Sequence, residues 1–109
     1  MALFRRKKAR QVSPDLQHLL QFVNSRQGVE AYLEPKTAVT EMTVALVASD
    51  GEWTRRRVPN AEIVRKFANQ RGIPVYDVEA VGYPEKMREW TSKRKAAGDA
   101  DVPDIERPA

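Results

Sequence analysis

The sequence predicts an α+β fold: a four-stranded mixed, mainly antiparallel sheet with helices packed on one face, in the order α-β-β-β-α-β-α. Three observations predict it. Two stretches repeat apolar residues at the helical period, and two β-rich stretches are joined by an Asp-Gly turn. A further strand-like stretch follows the second helical one. A chain of 109 residues without cysteine is expected to form one domain whose core needs no disulfide.

The first helix is predicted to begin after Ser13, whose hydroxyl can cap the helix. Pro14 and Asp15 suit the first turn, where proline costs no hydrogen bond and a carboxylate interacts favourably with the helix dipole. An apolar stripe with helical spacing follows, formed by Leu16, Leu19, Leu20 and Val23. Gly28 is the expected stop. The only histidine, His18, lies opposite this stripe, so we expect a solvated side chain.

Three strands are predicted in the middle of the chain. Residues 29–34 alternate apolar and polar side chains, which is typical of a half-buried strand. Residues 42–48 are apolar on both faces and predict a central strand. An Asp50-Gly51 turn joins it to a strand that carries Trp53 beside three arginines, Arg55, Arg56 and Arg57.

Two registers of this hairpin place the arginines on opposite faces of the sheet. A two-residue turn pairs Ala48 with Trp53. A three-residue loop with Gly51 in a bulge pairs Val47 with Trp53 instead, and the faces reverse. The loop sequence suits a type I turn plus a bulge, so we favour the second register. Arg56 then points toward the helices and needs a carboxylate partner.

The second half of the chain predicts a helix, a strand and a helix. Asn60 is the expected N-cap of the second helix. Residues 73–78 predict the fourth strand, which Pro74 places at an edge because proline cannot donate to a neighbouring strand. Pro84 opens the final helix, which we expect to end near residue 97.

The net charge of +4 is distributed unevenly along the chain. Residues 1–12 predict a disordered basic arm with five cations: Arg5, Arg6, Lys7, Lys8 and Arg10. Residues 13–97 form the predicted domain, and residues 98–109 predict a mobile acidic tail. No apolar run approaches the roughly 20 residues that span a bilayer, so we expect a cytoplasmic protein without a membrane partner.

Residue types that carry catalysis are scarce. One histidine, no cysteine and five isolated glycines argue against a catalytic triad, a metal centre and a phosphate-binding loop. Glu30 and Glu34 share a strand face and are candidates either for acid–base chemistry or for pairing with Arg55 and Arg57. We therefore expect no cofactor and no metal ion, and an enzyme is the third of three hypotheses.

The candidate partner-binding residues are Trp53, Arg55, Arg57, Tyr83 and Trp90. Guanidinium groups bind anions bidentately, and aromatic rings offer a large docking area. The leading hypothesis is a non-enzymatic binding or adaptor protein that engages a protein partner. The alternative is an RNA- or ribosome-associated protein that uses the basic arm together with Arg55 and Arg57. A structural role for these arginines, paired with cross-strand glutamates, is the competing interpretation.

Three motifs carry a family resemblance: GVEAYLEPKTAVTEMTVALVASDGEWTRRRV at residues 28–58, GIPVYDV at residues 72–78 and VGYPEKMREW at residues 81–90. Over residues 28–90 the chain resembles a family of small uncharacterised actinobacterial proteins that are sometimes labelled oxidoreductases. The resemblance implies no catalytic or binding residues. A redox activity would need a thiol, a nucleotide loop or a metal cluster, and the sequence shows none of these.

Overall fold

The computed structural model describes residues 13–106 and has the predicted α+β fold. Its helices are α1 (Pro14–Ser25), α2 (Ala61–Gln70), α3 (Val78–Val81) and α4 (Glu85–Ala96). Its strands are β1 (Glu30–Glu34), β2 (Thr43–Val47), β3 (Trp53–Arg57) and β4 (Val75–Asp77). The predicted order of elements is confirmed, and the four-residue helix α3 is an addition to it. The predicted basic arm lies outside the described residues.

The first two long helices begin where local signals predict. The Oγ of Ser13 accepts a hydrogen bond from the N–H of Leu16 at 3.1 Å, and Oδ1 of Asn60 accepts one from the N–H of Ile63 at 2.9 Å. Each cap satisfies a main-chain donor that the first turn leaves unpaired. No helix among residues 13–106 combines the length and the apolar character needed to cross a membrane.

The four strands form one mixed sheet in the order β3-β2-β1-β4. β2 is antiparallel to both β1 and β3, whereas β4 is parallel to β1. β4 lies at an edge of the sheet, as Pro74 predicts. Because β3 and β4 occupy opposite edges, the connection through α2 carries the chain across the whole sheet.

The hairpin between β2 and β3 adopts the register with the three-residue loop. Val47 lies opposite Trp53, and the N–H of Gly51 donates to the carbonyl of Ala48 at 2.9 Å. The φ angle of Gly51 is 95°, which side chains other than glycine rarely adopt. A Cβ at Gly51 would also lie 2.1 Å from the carbonyl oxygen of Lys86 in α4. Gly51 is therefore required both by the turn and by the close approach of α4.

The sheet is covered on both faces. α1 and α2 pack on one face, where Phe22 and Phe67 share a buried cluster with Leu46. α4 covers the opposite face, where Met87, 0 % exposed, shares a second cluster with Trp53. The helices were predicted to pack on one face of the sheet. This holds for α1 and α2, whereas α4 lies on the opposite face. The physical reason is β2: all five of its residues are buried, so its second face also needs an apolar cover.

Candidate docking surface

The indole of Trp53 fixes α4 to the sheet. Trp53 is 6 % exposed, and its Nε1–H donates to Oγ1 of Thr91 at 2.8 Å. The hydroxyl of Thr91 in turn donates to the carbonyl of Met87, also at 2.8 Å. A buried indole N–H needs such a partner. The side chain of Trp53 is therefore buried and hydrogen-bonded inside the protein, and its ring is not accessible to a partner.

A buried carboxylate lies beside Trp53 on the same face of the sheet. Glu34 is 0 % exposed. Arg55 donates to both of its oxygens, Nε to Oε1 at 2.9 Å and Nη2 to Oε2 at 2.8 Å. The hydroxyls of Thr43 and Tyr83 donate to Glu34 at 2.6 Å and 2.5 Å. Four donors from two strands and a loop therefore balance one buried charge, as the structural interpretation of the arginines requires.

Tyr83 is held as a hydrogen-bond donor by this arrangement. Burial, followed by the hydrogen bond to Glu34, raises the pKa of Tyr83 to about 12. The phenol therefore keeps its proton across the physiological pH range. The hydroxyl of Tyr83 is occupied by its hydrogen bond to Glu34, while the side chain remains half-buried at the surface.

Arg55 also reaches beyond the sheet. Its Nη1 donates to the main-chain carbonyl of Asp104 at 3.1 Å, and its Nη2 donates to that of Ile105. The guanidinium carbon lies 5.0 Å from the ring centroid of Trp53. One arginine thus joins the buried carboxylate, the buried indole and the chain that follows α4.

Residues 99–106, which we call the C-terminal segment, run along α4. Three ion pairs hold it: Lys95 to Asp104 at 2.6 Å, Arg94 to Asp99 at 2.8 Å, and Arg88 to Glu106 at 3.9 Å. The hydrogen bond from Lys95 lowers the pKa of Asp104. Ile105 packs against the cluster that contains Trp53 and Met87. The sequence predicts a mobile tail from residue 98. The part of this tail that the structure describes, up to residue 106, makes the contacts given above.

The C-terminal segment leaves part of the surface open. A groove of about 360 Å³ lies between it and α4. The α4 side of the groove is lined by Arg88, Thr91, Ser92 and Lys95. We call the surface formed by α4 and by the face of β3 that carries Trp53 the docking surface. Its exposed or half-buried residues include Arg55, Arg57, Arg88, Trp90 and Lys95.

The five predicted partner-binding residues all lie on this side of the sheet, but they differ in exposure. Trp53 is buried, and Arg55 and Tyr83 converge on Glu34. Trp90 is half-buried, with the guanidinium of Arg94 at 5.4 Å from its ring centroid. Among these five, Arg57 is the one that the structure leaves exposed. The cations of the basic arm lie outside the described residues.

The side chain of His18, which was predicted to be solvated, instead contacts two residues of β3. Its Nε2 lies 2.6 Å from Oγ1 of Thr54, and Nη2 of Arg56 lies 3.1 Å from its Nδ1. Because a guanidinium only donates, Nδ1 accepts and Nε2–H donates to Thr54. Burial, followed by the charge of Arg56, lowers the pKa of His18. The bulged register was the available signal, since it turns Thr54 and Arg56 toward α1.

The carboxylate that Arg56 was predicted to need is Asp15, at 3.8 Å. An open cleft of about 580 Å³ lies near this cluster, between α1 and β3. Arg26 at the cleft is engaged inside the protein, because its Nη2 lies 2.5 Å from Oε2 of Glu52 and its guanidinium stacks on Phe22. Among residues 13–106, no group of three or more histidine, aspartate or glutamate side chains is arranged to hold a metal ion.

Comparisons with known proteins assign this chain to no family. No family model matches the chain, and neither a curated protein nor a solved structure shows significant similarity to it. The resemblance to small actinobacterial proteins stays a prediction.

Proposed function

We propose that this chain is a cytoplasmic, non-enzymatic binding or adaptor protein that engages a protein partner at the docking surface. One observation carries the proposal: the surface holds a segment of its own chain. It does so with main-chain hydrogen bonds from Arg55, with ion pairs from α4, and with a contact site for the side chain of Ile105. Peptide-binding surfaces combine the same three kinds of contact.

The interior residues give this surface a rigid base. Trp53 and Arg55 are held by partners inside the protein, so neither side chain needs to be ordered when a partner binds. Charged groups at the rim, such as Arg57 and Arg88, then select an anionic partner and accelerate its approach. The partner then contacts the rim of β3 and α4, because α4 covers the sheet face itself.

Site-specific photo-crosslinking in native cells tests this proposal. A photoreactive residue at Ser92, exposed beside the groove, should crosslink to a discrete protein. The matched control is the same photoreactive residue at Asn69, which is exposed on α2 on the opposite side of the sheet. Equal labelling from both positions, or labelling from neither, would contradict a docking site on α4.

RNA is the second candidate partner, because exposed cations lie on the same elements. Arg57 belongs to β3, and Lys93 and Arg94 belong to the last turn of α4. Binding to a single-stranded oligoribonucleotide should then weaken steeply between about 50 and 200 mM salt, as phosphate contacts release counterions. The absence of measurable affinity at the lower salt concentration would remove RNA as a candidate.

A further inference from the structure

On the basis of the proposed function, we infer that the C-terminal segment is a tethered competitor for the docking surface. We infer further that the partner which replaces it is an acidic peptide. The segment presents the alternation Asp104-Ile105-Glu106, in which acidic side chains flank an apolar one. The chain bends at Ile105 and Glu106, so adjacent acidic and apolar side chains of the segment reach the same side of the protein.

Each part of this alternation has its own counterpart on the surface. Lys95 pairs with Asp104, and Arg88 pairs with Glu106. Ile105 contacts the apolar cluster of the outer face. The donation by Arg55 to two consecutive main-chain carbonyls is independent of side-chain identity, so it suits any peptide whose main chain bends in the same way. The recognised pattern is therefore acidic, apolar, acidic.

The hold on the C-terminal segment is weak enough to be exchanged. The side chains of Asp104 and Glu106 are 81 % and 75 % exposed, and ion pairs between exposed groups stabilise little. The groove beside α4 also leaves room for an incoming chain to enter before the segment leaves. The tether opposes this exchange, because it holds the segment near the surface at an effective concentration on the order of 1 mM.

Peptide binding to the full chain tests the inference. The probe is a fluorescein-labelled synthetic peptide with the sequence of residues 99–109, followed by fluorescence anisotropy. Asp104→Lys in the protein repels Lys95, so the segment releases the surface and the probe should bind about fivefold more tightly than to the unchanged chain. Asp101→Lys is the matched control, because it changes the charge equally at an exposed side chain outside the three ion pairs. It should leave the affinity unchanged.

A second probe separates pattern recognition from attraction between charges. In this peptide the residue equivalent to Ile105 is replaced by alanine, with the same net charge. It should bind the Asp104→Lys protein about tenfold more weakly than the first probe, because it loses the apolar contact. Equal binding of the two peptides would overturn the acidic, apolar, acidic pattern.

Nuclear magnetic resonance of the ¹⁵N-labelled full chain distinguishes failure of this inference from failure of the proposed function. Displacement predicts that the amide signals of Val102 and Ile105 move to the positions of an unstructured chain as the first probe is added. Binding of the probe without that change would overturn the tethered competitor and leave the docking surface intact. Failure of the probe to bind even the Asp104→Lys protein would overturn the acidic-peptide partner. The photo-crosslinking experiment would then decide the proposed function independently.

Discussion

The carboxylate of Glu34 organises the outer face of the sheet. It is fully buried, yet it accepts hydrogen bonds from Thr43, from Tyr83 and twice from Arg55. A buried charge is tolerated when its lone pairs are filled, and it becomes strongly destabilising when one partner is removed. The arginines of β3 are therefore unequal: Arg55 balances Glu34, whereas Arg57 points into solvent.

Arg55→Ala should lower the free energy of unfolding by about 3 kcal/mol, because it leaves the charge of Glu34 buried with two donors fewer. Arg57→Ala is the control and should change that free energy by less than about 0.5 kcal/mol. Urea denaturation of the two variants measures both values. Equal stability of the two variants would contradict the structural role of Arg55.

His18 makes the stability depend on pH near neutrality. Its pKa is lowered from the ordinary value of 6.5, first by burial and then by Arg56, so the folded state favours the neutral ring. Below that value the unfolded chain takes up the proton more readily than the folded one. Stability is therefore fully present above pH 6.5 and decreases as the pH falls through 6.5 and below.

The chemical shift of the His18 ring proton should give a pKa below 6.5 in the folded protein. Urea midpoints between about pH 7.5 and pH 5.5 should fall less steeply for His18→Asn, which removes the titrating ring while keeping a polar side chain. A folded-state pKa above 6.5 would show that the ring is protonated between Thr54 and Arg56, contrary to its assigned hydrogen bonds.

Among the elements, α4 depends most on tertiary contacts. Its sequence offers few apolar anchors, and it is fixed by Met87, by the bond between Trp53 and Thr91, and by the tip of the β2–β3 hairpin. An isolated helix of 12 residues is marginal in water, so packing on the sheet has to stabilise it. The close approach at Gly51 is the tightest of these contacts.

Gly51→Ala should cost at least about 3 kcal/mol, because the added Cβ meets the main chain of Lys86 as well as an unfavourable φ angle. Gly72→Ala provides the control: its φ of 67° is also positive, but nothing lies within 4 Å of an added Cβ. Backbone strain alone should then cost about 1 kcal/mol. Thermal or urea unfolding compares the two variants, and similar losses would mean that α4 does not seat against the hairpin as described.

Elements with local signals were predictable from the sequence. Ser13 and Asn60 cap their helices with hydrogen bonds that span three residues, and the hairpin loop with Gly51 sets its own register. The face covered by α4 was not predictable in this way, since Met87 and Trp90 suit either face of the sheet. The strand β2, which has apolar residues on both faces, was the available indication that both faces are covered.

In the whole molecule, opposite charges are brought together at the C-terminal end. The chain carries a net charge of +4, and the carboxylates of the C-terminal segment lie against the basic residues of α4. These ion pairs join α4 to carboxylates, such as those of Asp104 and Glu106, that are largely exposed, whereas Ile105 packs against a buried cluster. The segment is therefore the part of the described structure whose position responds most to ionic strength.

Raising the salt concentration from about 50 mM to 1 M should release the C-terminal segment, because the screening length falls from more than 10 Å to about 3 Å. Hydrogen exchange should show faster exchange of the amides of Asp99 and Asp101, which donate to the carbonyl of Arg94 and to Oδ1 of Asp99. The amides of β2 serve as the internal control and should keep their protection, since their hydrogen bonds are buried. Unchanged exchange of both groups would mean that ion pairs do not hold the segment.

By itself, the sequence determined the α+β class, the order of the long elements, the helix caps and the register of the hairpin. These depend on side chains and main-chain groups a few residues apart. Only the tertiary structure decided which of the candidate side chains are hydrogen-bonded inside the protein and which stay exposed. Glu34 meets Arg55 and Tyr83 across separations of 21 and 49 residues, so their pairing depends on how sheet and helix pack. The position of the C-terminal segment was decided in the same way. Its hydrogen bonds to Arg55 join residues far apart in the chain, which the packing of α4 on the sheet brings together.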